Sequence, residues 1–292
     1  MAADTQTPNA RRSLFIGDVQ GCGDELDLIL DRATARFGEE CVFHFVGDLV
    51  NRGPYSMRVL ERVRKLADAG RAHCVLGNHE INLITQAFGL REAGERDTIH
   101  EILGSQEADD WLDWLRALPL VESAELSGCP FAMVHAAVHP DWDLETLARE
   151  ARRVEARLGS EERDDAYALL ATPSDRAPAG SERDVLGRIT TCRSVLGDEW
   201  SSALPEGDWV PWHTQWSKRH YPYGIVYGHW SLQGLHVAEG LRGLDTGCVH
   251  HGRNRDGYLT AWVPELATTS WPFDTPDTAF WRVRGYRRYY PL

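Results

Sequence analysis

The stretch SLFIGD (13–18) is a short apolar run that ends in Gly-Asp, and a helical pattern follows it at about 24–37. The same arrangement recurs in CVFHFVGD (41–48), with a helical pattern at about 55–69, and a third time in AHCVLGNHE (72–80). Strands that alternate with helices predict a largely parallel sheet with helices on both faces. The fold class expected from this beginning is α/β.

The rest of the chain adds further strands and one segment with a weaker pattern. PFAMVHAAV (130–138) and YGIVYGHW (223–230) are two more apolar runs. Residues 145–157 have the pattern of a charged amphipathic helix, whereas the periodicity fades between about 158 and 215, which indicates a cap or insertion over the sheet edge. Short runs within 241–290 predict strands that complete a second sheet. We therefore expect a two-sheet α/β sandwich flanked by helices.

The length and composition are those of a globular protein. The chain has 292 residues, of which 42% are hydrophobic and 26% are charged, and this fits one large α/β domain. We expect a single domain over residues 13–292, preceded by a disordered tail at 1–12. No run of about 18 apolar residues occurs, so no membrane span is expected.

The net charge and the cysteines restrict the partners and the compartment. A formal net charge of −13 argues against a specific nucleic-acid partner, because such proteins usually carry basic patches. It permits a small polyanionic substrate, since bound cations can reverse the local field. None of the six cysteines forms a CxxC pair, and the N-terminus lacks the apolar region of a signal peptide, so a cytoplasmic protein with reduced thiols is expected. The sequence leaves the oligomeric state open.

Five polar residues stand at the ends of the predicted strands, namely Asp18, Asp48, Asn78, His135 and His229. Ligands of α/β sheets bind beyond the carboxyl ends of the strands. Carboxylate and amide oxygens suit hard divalent ions, and imidazole suits transition metals. One such residue after a strand is usually only a turn or a helix cap, but five at equivalent positions predict a metal site. Asp48, on the central run, is the candidate bridge between two ions about 3.5–4 Å apart.

Taken together, these motifs resemble those of the calcineurin-like metallophosphoesterases, in their phosphoprotein-phosphatase branch. The resemblance is carried by GDVQGC (17–22), GDLVNRGP (47–54), GNHE (77–80), the run around His135 and GHW (228–230). With DWLRALPLV (113–121) and LDTGC (244–248) included, the sequence is most similar to the symmetrical bis(5′-nucleosyl)-tetraphosphatases, which cleave diadenosine tetraphosphate into two ADP. The fold implied is the two-sheet metallophosphoesterase sandwich.

The resemblance also implies two divalent metal ions as cofactors, with Mn²⁺ favoured and Mg²⁺, Co²⁺ or Fe as alternatives. A hydroxide bridging the two metals would attack phosphorus directly. The first ion is assigned the ligands Asp18, Gln20 and Asp48. The second ion is assigned the ligands Asp48, Asn78, His135 and His229.

Catalytic and substrate-binding roles follow from the same resemblance. His79 is expected to protonate the leaving-group oxygen, oriented by Glu80, and Arg52 is expected to hold a phosphate. Arg188 and Arg193 are candidates for further phosphate contacts. The expected partner is a small nucleoside polyphosphate substrate.

Two departures from the family pattern leave other functions open. Members normally have His where this chain has Gln20, and an amide oxygen is a weaker ligand than imidazole. We interpret this as a loosened first metal site, and the alternative is a weakly active or inactive nucleotide-sensing protein. Protein phosphatases of this branch carry Asp at the position of Asn51, so this residue differs from them. The residue at the position of Glu80, in contrast, is similar to that of the protein phosphatases. A Ser/Thr protein phosphatase is therefore a further alternative.

Overall fold

The computed structural model describes residues 12–266, 271–274 and 277–289. Residues 1–11 of the predicted tail lie outside these ranges. Arg12 differs from the prediction, because it is the first residue of a strand and pairs with Cys41. None of the described helices is both long enough and apolar enough to cross a membrane.

Runs that the sequence predicts as strands account for eight of the thirteen strands in the described residues. The thirteen strands are β1 (Arg12–Ile16), β2 (Cys41–Phe45), β3 (Ala72–Cys74), β4 (Val121–Leu126), β5 (Cys129–Val134), β6 (Ser194–Leu196), β7 (Glu199–Ser201), β8 (Val210–Pro211), β9 (Gly224–Tyr227), β10 (His236–Ala238), β11 (Leu241–Gly243), β12 (Tyr258–Trp262) and β13 (Phe280–Arg284). Five of them, β1, β2, β3, β5 and β9, end shortly before the polar residues singled out above.

The three helices predicted from periodicity are confirmed as α1, α2 and α6, with ends within two residues of those expected. The described helices are α1 (Gly23–Phe37), α2 (Ser56–Asp68), α3 (Asn78–Ala87), α4 (His100–Leu103), α5 (Ala108–Arg116), α6 (Leu144–Leu158), α7 (Arg163–Leu170), α8 (Glu182–Thr191) and α9 (Trp212–Ser217). The start of α6 is fixed by its N-cap, since the carboxylate of Asp143 accepts the backbone N–H of Thr146 at 2.8 Å.

Within the described ranges, the first sheet has the strand order β13-β12-β1-β2-β3. Its strands β1, β2 and β3 are parallel, and β12 and β13 extend it in antiparallel fashion beyond β1. The prediction that β12 and β13 complete the second sheet is therefore wrong. The alternation of apolar residues shows which face of a strand is buried but not which strand is its neighbour.

The second sheet has the order β10-β11-β9-β5-β4 among the described strands. Strands β5, β9 and β11 are parallel, and β4 and β10 are antiparallel at the edges. Of the segments predicted in 241–290, only β11 joins this sheet. The mixed α/β architecture with two five-stranded sheets confirms the predicted fold class.

The two sheets pack face to face through an apolar layer. Phe15 of β1 meets Phe131 of β5 edge-on, with ring centroids 5.2 Å apart, and Trp262 of β12 at 5.1 Å. On the opposite face of β1, Leu14 and Ile16 join a second cluster that includes the buried face of α1. Both faces of β1 are thus buried, which explains why residues 14–16 are all apolar.

The segment at about 158–215 forms α7, α8 and a small sheet of order β7-β6-β8. We call this segment the cap. It is anchored to the sandwich, because Leu186 and Ile189 of α8 are buried. In addition, the carbonyl of Ile189 accepts the backbone N–H of Ala136 at 2.8 Å. The cap therefore lies beside the carboxyl end of β5.

Candidate metal centre and active site

Five strand-end residues meet at one edge of the two sheets. Asp18 and Asp48 lie just beyond β1 and β2, Asn78 begins α3, and His135 and His229 lie just beyond β5 and β9. The side-chain donor atoms of Asp48, His135 and His229 all lie within 4.8 Å of one another, and the three residues are buried. The structure brings together ligands from both sheets, as the sequence predicts.

The hydrogen bonds of His135 define which ring nitrogen faces the cluster as an acceptor. Its Nδ1 lies 2.8 Å from the carbonyl oxygen of Val46, which can only accept, so Nδ1 carries a proton. Nε2 faces Asn78 Oδ1 at 3.0 Å and Asp48 Oδ1 at 3.3 Å. In the form of the ring that binds a metal, Nε2 presents a lone pair, and these three atoms are then all acceptors.

His229 repeats this arrangement from the other side. Its Nε2 donates to the carbonyl oxygen of Thr191 at 3.0 Å, and its Nδ1 lies 2.7 Å from Asn78 Oδ1. Burial, and then the nearby charge of Arg193, lowers the pKa of His229 well below its ordinary value, so the ring is neutral. Nδ1 therefore presents a second lone pair to the same amide oxygen.

A divalent cation fits this donor set. Metal-binding histidines usually donate their other ring N–H to a carboxylate or backbone carbonyl, which fixes the tautomer, and both imidazoles do so here. Lone pairs that converge in a buried space repel one another unless a cation lies between them. The ligands predicted for the second ion can therefore hold a metal.

Negative charge accumulates beside these ligands. Asp245, in LDTGC, is buried together with Asp18, with 4% and 3% of their surfaces exposed. Burial, and then repulsion from Asp245 and Asp48, raises the pKa of Asp18 well above its ordinary value. Burial likewise raises the pKa of Asp245 to about 6. A bound cation would lower the pKa values of both carboxyl groups again. The acidic side of the cluster, formed by Asp18 and Asp245, therefore suits the predicted first ion.

Asp245 was not among the residues that the sequence analysis selected. The signal that could have found it is its position, because it follows β11 (Leu241–Gly243) as Asp18 follows β1. Since β11 is parallel to β9, its carboxyl end points to the same edge as the other ligands. Pairing of such a short strand is not evident from the sequence.

Gln20 reaches the cluster from the loop after β1. Its side chain is buried, and its Nε2 donates to Asp48 Oδ2 at 3.2 Å. The amide thus meets the predicted bridging carboxylate as a hydrogen-bond donor. To bind a cation as predicted, it has to turn so that its Oε1 faces the ion.

Replacing Gln20 with His is expected to strengthen the first metal position and to keep or raise turnover. Imidazole is the better ligand for transition metals, and the half-saturating Mn²⁺ concentration of the metal-depleted protein should fall about tenfold. The measurement is activity as a function of added Mn²⁺. Gln20→Leu, which has no ligand atom, is the matched control and should require more Mn²⁺. Lower activity of Gln20→His at saturating Mn²⁺ would mean that Gln20 is not a weakened ligand.

Glu80 makes contacts that differ from its predicted role. It is fully buried, and its carboxylate accepts the backbone N–H groups of Gly77 and of residues 48–50 at 2.8–3.2 Å. No hydrogen bond joins it to the ring of His79 among the described residues. Glu80 therefore fixes the two loops that follow β2 and β3, and it orients the imidazole only indirectly.

His79 lies at the start of α3, between the cluster and a cleft. Its backbone N–H donates to Asp48 Oδ1 at 2.9 Å, and its Nε2 lies 3.7 Å from Asp48 Oδ2. Its Nδ1 is buried and has no hydrogen-bond partner in the described part of the chain. Burial lowers the pKa of His79. The ring has spare hydrogen-bonding capacity for a substrate atom.

Two of the three arginines predicted to contact phosphate lie near the cluster. Arg52 Nη1 lies 3.1 Å from Asp97 Oδ1, and the side chain lines the cleft together with His79. Burial lowers the pKa of Arg193, and the guanidinium is within electrostatic reach of Asp245, Asp48 and Asp18. Arg52 thus lines the cleft, whereas Arg193 is not among its lining residues and donates through Nη1 to the carbonyl oxygen of Ser202 at 2.6 Å. The phosphate contacts of both arginines stay predictions.

The structure does not bring Arg188 to the cleft. It is 4% exposed, its Nη2 donates to the carbonyl of Asp198 at 2.7 Å, and it lines a separate cavity with Trp200. At about 100° per residue along α8, Arg188 points roughly 140–160° away from Arg183 and Thr190, which line the cleft. The expected phosphate contact of Arg188 is therefore not supported.

A cleft of about 470 Å³ opens beside the cluster. One wall comes from α3 and the turn after it, including His79 and Leu90, and the other comes from the cap, including Leu170, Pro173 and Thr191. The cationic lining residues are Arg52, Arg91 and Arg183. The cap thus covers one side of the approach to the ligands.

The backbone of the site adopts an uncommon conformation. Gln20, Asp48, Asn51, Arg52 and His229 have positive φ angles of 46°, 52°, 79°, 68° and 66°. This region favours glycine, and Asn or Asp tolerate it better than other residues. Each such position costs on the order of 1–3 kcal/mol and persists only where the surroundings enforce it. The loops are therefore held in place by contacts such as those of Glu80.

Comparison with known proteins identifies the family. The calcineurin-like phosphoesterase family matches residues 11–181, which include Asp18, Asp48, Asn78 and His135. This chain is a calcineurin-like phosphoesterase. It is therefore a hydrolase, and calcineurin-like phosphoesterases use a dinuclear centre of divalent metal ions. The ligand cluster described above fits such a centre, and the predicted family and enzyme class are confirmed.

Several curated relatives extend the similarity beyond that range. A protein of Ralstonia nicotianae named bis(5′-nucleosyl)-tetraphosphatase, symmetrical, is 37% identical over 254 residues, which cover 82% of this phosphoesterase and 86% of the relative. Proteins with the same name from Paracidovorax citrulli and Vibrio cholerae are 35% and 33% identical, and the alignments cover 88% and 91% of those relatives.

Solved structures share the fold. A candidate diadenosine tetraphosphatase matches with a TM-score of 0.60 at 24% identity, covering 96% of both chains. A protein serine/threonine phosphatase from Saccharomyces cerevisiae matches with a TM-score of 0.54 at 15% identity, covering 98% of this phosphoesterase and 83% of the yeast chain. At these identities the matches show the fold alone.

Proposed function

We propose that this phosphoesterase hydrolyses dinucleoside polyphosphates and cleaves diadenosine tetraphosphate symmetrically into two ADP. The observation that carries the proposal is the cleft of about 470 Å³ between α3 and the cap, beside His79. Small-molecule pockets have volumes of about 300–1,000 Å³. The names of the relatives from Ralstonia nicotianae and Vibrio cholerae support the same substrate class.

The lining of the cleft supports a phosphorylated nucleoside. Arg52, Arg91 and Arg183 supply positive charge for phosphates, and Leu90 and Leu170 supply apolar surface. Guanidinium groups form two parallel hydrogen bonds with phosphate oxygens, which gives both attraction and orientation. A polyphosphate chain attached to a nucleoside requires both kinds of surface.

The proposed chemistry depends on positioning and charge. Two divalent cations, when bound, neutralise phosphate charge and activate water for attack on phosphorus. Asp48 is positioned between the acidic side and the imidazole side of the cluster, so it is the residue that can contact both ions. Arg52 and Arg193 orient the phosphate, and His79 protonates the leaving oxygen. Glu80 holds the loops after β2 and β3 in place through its hydrogen bonds to their backbone N–H groups.

We infer that Mn²⁺ is the resident ion. The donor set combines carboxylate and amide oxygens with two imidazoles, and Mn²⁺ accepts both kinds of ligand. Mg²⁺ binds imidazole less readily, and Zn²⁺ would gain less from Gln20 than from a histidine. Co²⁺ and Fe remain alternatives that metal analysis of the purified protein distinguishes.

A cytoplasmic location is part of the proposal. All six cysteines are free thiols, and five of them are buried. Reduced thiols are typical of proteins in a reducing compartment. The proposed substrate class consists of intracellular nucleotides, which is consistent with that location.

The two alternatives receive less support. A phosphoprotein substrate requires an open, shallow groove, whereas the cap covers one side of the cleft. The alternative of an inactive nucleotide sensor rests on Gln20 alone, which belongs to the first metal position. The carboxylate, amide and imidazole ligands of the second metal position are all present, and they are buried or nearly so. Hydrolysis is therefore the function that the geometry favours.

The test is turnover of diadenosine tetraphosphate with Mn²⁺, Co²⁺ or Mg²⁺, with the products separated by chromatography. ADP as the sole product, lost when a chelator is added, is the expected result. AMP plus ATP would retain the metal chemistry and contradict symmetrical cleavage. Absence of turnover with every metal would contradict the proposal, and a phosphopeptide assay would then test the protein-phosphatase alternative.

Arg52→Gln is expected to raise the KM for diadenosine tetraphosphate by about tenfold to 100-fold, because one charge-assisted contact to phosphate is lost. Steady-state kinetics of the purified variant measure the effect. Arg58→Gln is the matched control, since Arg58 pairs with Asp24 and Asp27 on the exposed surface. Equal KM values for the two variants would remove Arg52 from the phosphate site.

A further inference from the structure

A second buried cluster of metal-ligating side chains lies outside the phosphoesterase centre. It consists of Cys22, immediately before α1, Glu25 in the first turn of α1, and Cys248 in the short helical turn after LDTG. Their donor atoms all lie within 4.8 Å of one another, and the three residues are buried. The two cysteines are far apart in sequence, so the absence of a CxxC motif gave no indication of this cluster.

Glu25 provides an independent observation. Its Oε1 accepts the backbone N–H of Tyr286 at 2.7 Å and the hydroxyl of Tyr289 at 2.5 Å. Its Oε2 is buried and has no hydrogen-bond partner among the described residues. The neighbouring Asp24, in contrast, pairs with Arg58 and Arg287. A buried carboxylate oxygen without a partner is costly. This oxygen belongs to Glu25, whose carboxylate lies beside the two thiols.

We propose that Cys22, Glu25 and Cys248 bind a thiophilic divalent cation, Zn²⁺ foremost, at a structural site separate from the phosphoesterase centre. Two thiolates and one carboxylate are a suitable set for Zn²⁺, with Zn–S near 2.3 Å and Zn–O near 2.0–2.2 Å. A tetrahedral arrangement at these lengths sets the sulfurs about 3.8 Å apart, so little movement of the cluster is required. This inference does not depend on the proposed substrate.

Charge and protons balance in a simple way. Binding converts the two thiols to thiolates and releases two protons, while Glu25 contributes its charge as a carboxylate. The hydroxyl of Tyr289 is a further oxygen donor beside Glu25. It can complete the coordination if its hydrogen bond to Oε1 is exchanged for the cation.

The position of the cluster indicates what the cation would do. Cys22 lies in the loop that also carries Asp18 and Gln20, and Cys248 lies in the loop that carries Asp245. Glu25 holds the C-terminal residues 286–289 through the two bonds described above. A bound ion would therefore cross-link two segments that are distant in sequence and that both support the phosphoesterase centre. Its ligand Glu25 would connect residues 286–289 to the same site.

The experiment uses the full chain, stripped of metal and titrated with Co²⁺ as the probe. A thiolate bound to Co²⁺ gives charge-transfer absorption in the near ultraviolet, which the oxygen and nitrogen ligands of the phosphoesterase centre cannot give. We expect the absorption at saturation to correspond to one thiolate-bound Co²⁺ per chain, in addition to any Co²⁺ in the phosphoesterase centre, and to be displaced by Zn²⁺. It should fall to about half or less in Cys22→Ser and in Cys248→Ser, because one of the two thiolates is removed, and it should be lost in the double variant. It should be retained in Asp48→Asn and in the matched control Cys41→Ser, whose thiol is buried elsewhere.

Glu25→Gln keeps the test informative if the serine variants do not fold. The amide oxygen can still accept the bonds from Tyr286 and Tyr289, while the charged ligand is removed, so Co²⁺ affinity should fall at least about tenfold with the absorption retained. Absence of the absorption in the parent protein would overturn the proposal. So would its undiminished persistence in the double serine variant, or a Cys22–Cys248 disulfide in the freshly isolated protein.

Discussion

Replacing Asp48 with Asn should lower the turnover of diadenosine tetraphosphate by at least about 10³-fold, because it removes the carboxylate charge that we propose contacts both metal ions. Asp48 is 1% exposed and lies within 3.3 Å of His135 Nε2. Asn has the same shape and tolerates the φ of 52° at this position, so the loop should keep its conformation. The loss is therefore expected in catalysis and metal binding and not in folding.

Two measurements accompany that variant. Metal analysis should show fewer bound ions per chain than in the parent protein, and thermal unfolding should show a similar transition for both metal-free proteins. Asp141→Asn is the matched control, because Asp141 pairs with Arg219 on the exposed surface, and its turnover should equal that of the parent. Full activity of Asp48→Asn would contradict the assignment of Asp48 as the shared ligand.

His79→Gln should lower turnover of diadenosine tetraphosphate by about 10²–10⁴-fold, the usual contribution of a general acid. The effect should depend on the leaving group. An aryl phosphate ester whose phenol is acidic leaves without protonation, so its hydrolysis should fall less than about tenfold. Comparing the two substrates separates proton donation from a structural role, because a distorted site would slow both reactions alike.

The matched control for His79 is His73→Gln. His73 lies on β3, is half-exposed and contacts Glu122, so its replacement should leave both reactions unchanged. If His79→Gln slows the two substrates by the same factor, His79 binds the phosphate or positions the loop and does not donate the proton. The buried Nδ1, which has no hydrogen-bond partner in the described ranges, would then require another explanation.

The sequence predicts the first half of the fold well. Each of the runs 13–18, 41–48 and 72–80 alternates with a helix, and parallel strands with buried faces leave a clear apolar pattern. The order of ligands at the strand ends follows from that topology, which is why Asp18, Asp48 and Asn78 could be selected before the structure. The similarity to the calcineurin-like family supplied the roles that periodicity cannot supply.

What the sequence could not predict depends on contacts between distant segments. The pairing of β12 with β1 is set by packing of Trp262 on Phe15, and alternation alone is compatible with either sheet. Asp245 joins the site through a three-residue strand. Arg188 lies in a helix of the cap, where the periodicity of the sequence is weak, and its rotation about the helix axis is fixed by packing within the cap. The bonds of Glu80 to backbone N–H groups also have no signature in sequence.

The positive φ angles at Gln20, Arg52 and His229 have a consequence for how this protein tolerates mutation. Folded domains are stable by only about 5–15 kcal/mol, and each strained position consumes a share of that margin. Variants selected for heat resistance alone are therefore expected to include glycine at these positions, with poorer catalysis. A lineage that retains the activity also retains these strained backbone conformations. It therefore has a smaller stability margin with which to tolerate destabilising substitutions elsewhere.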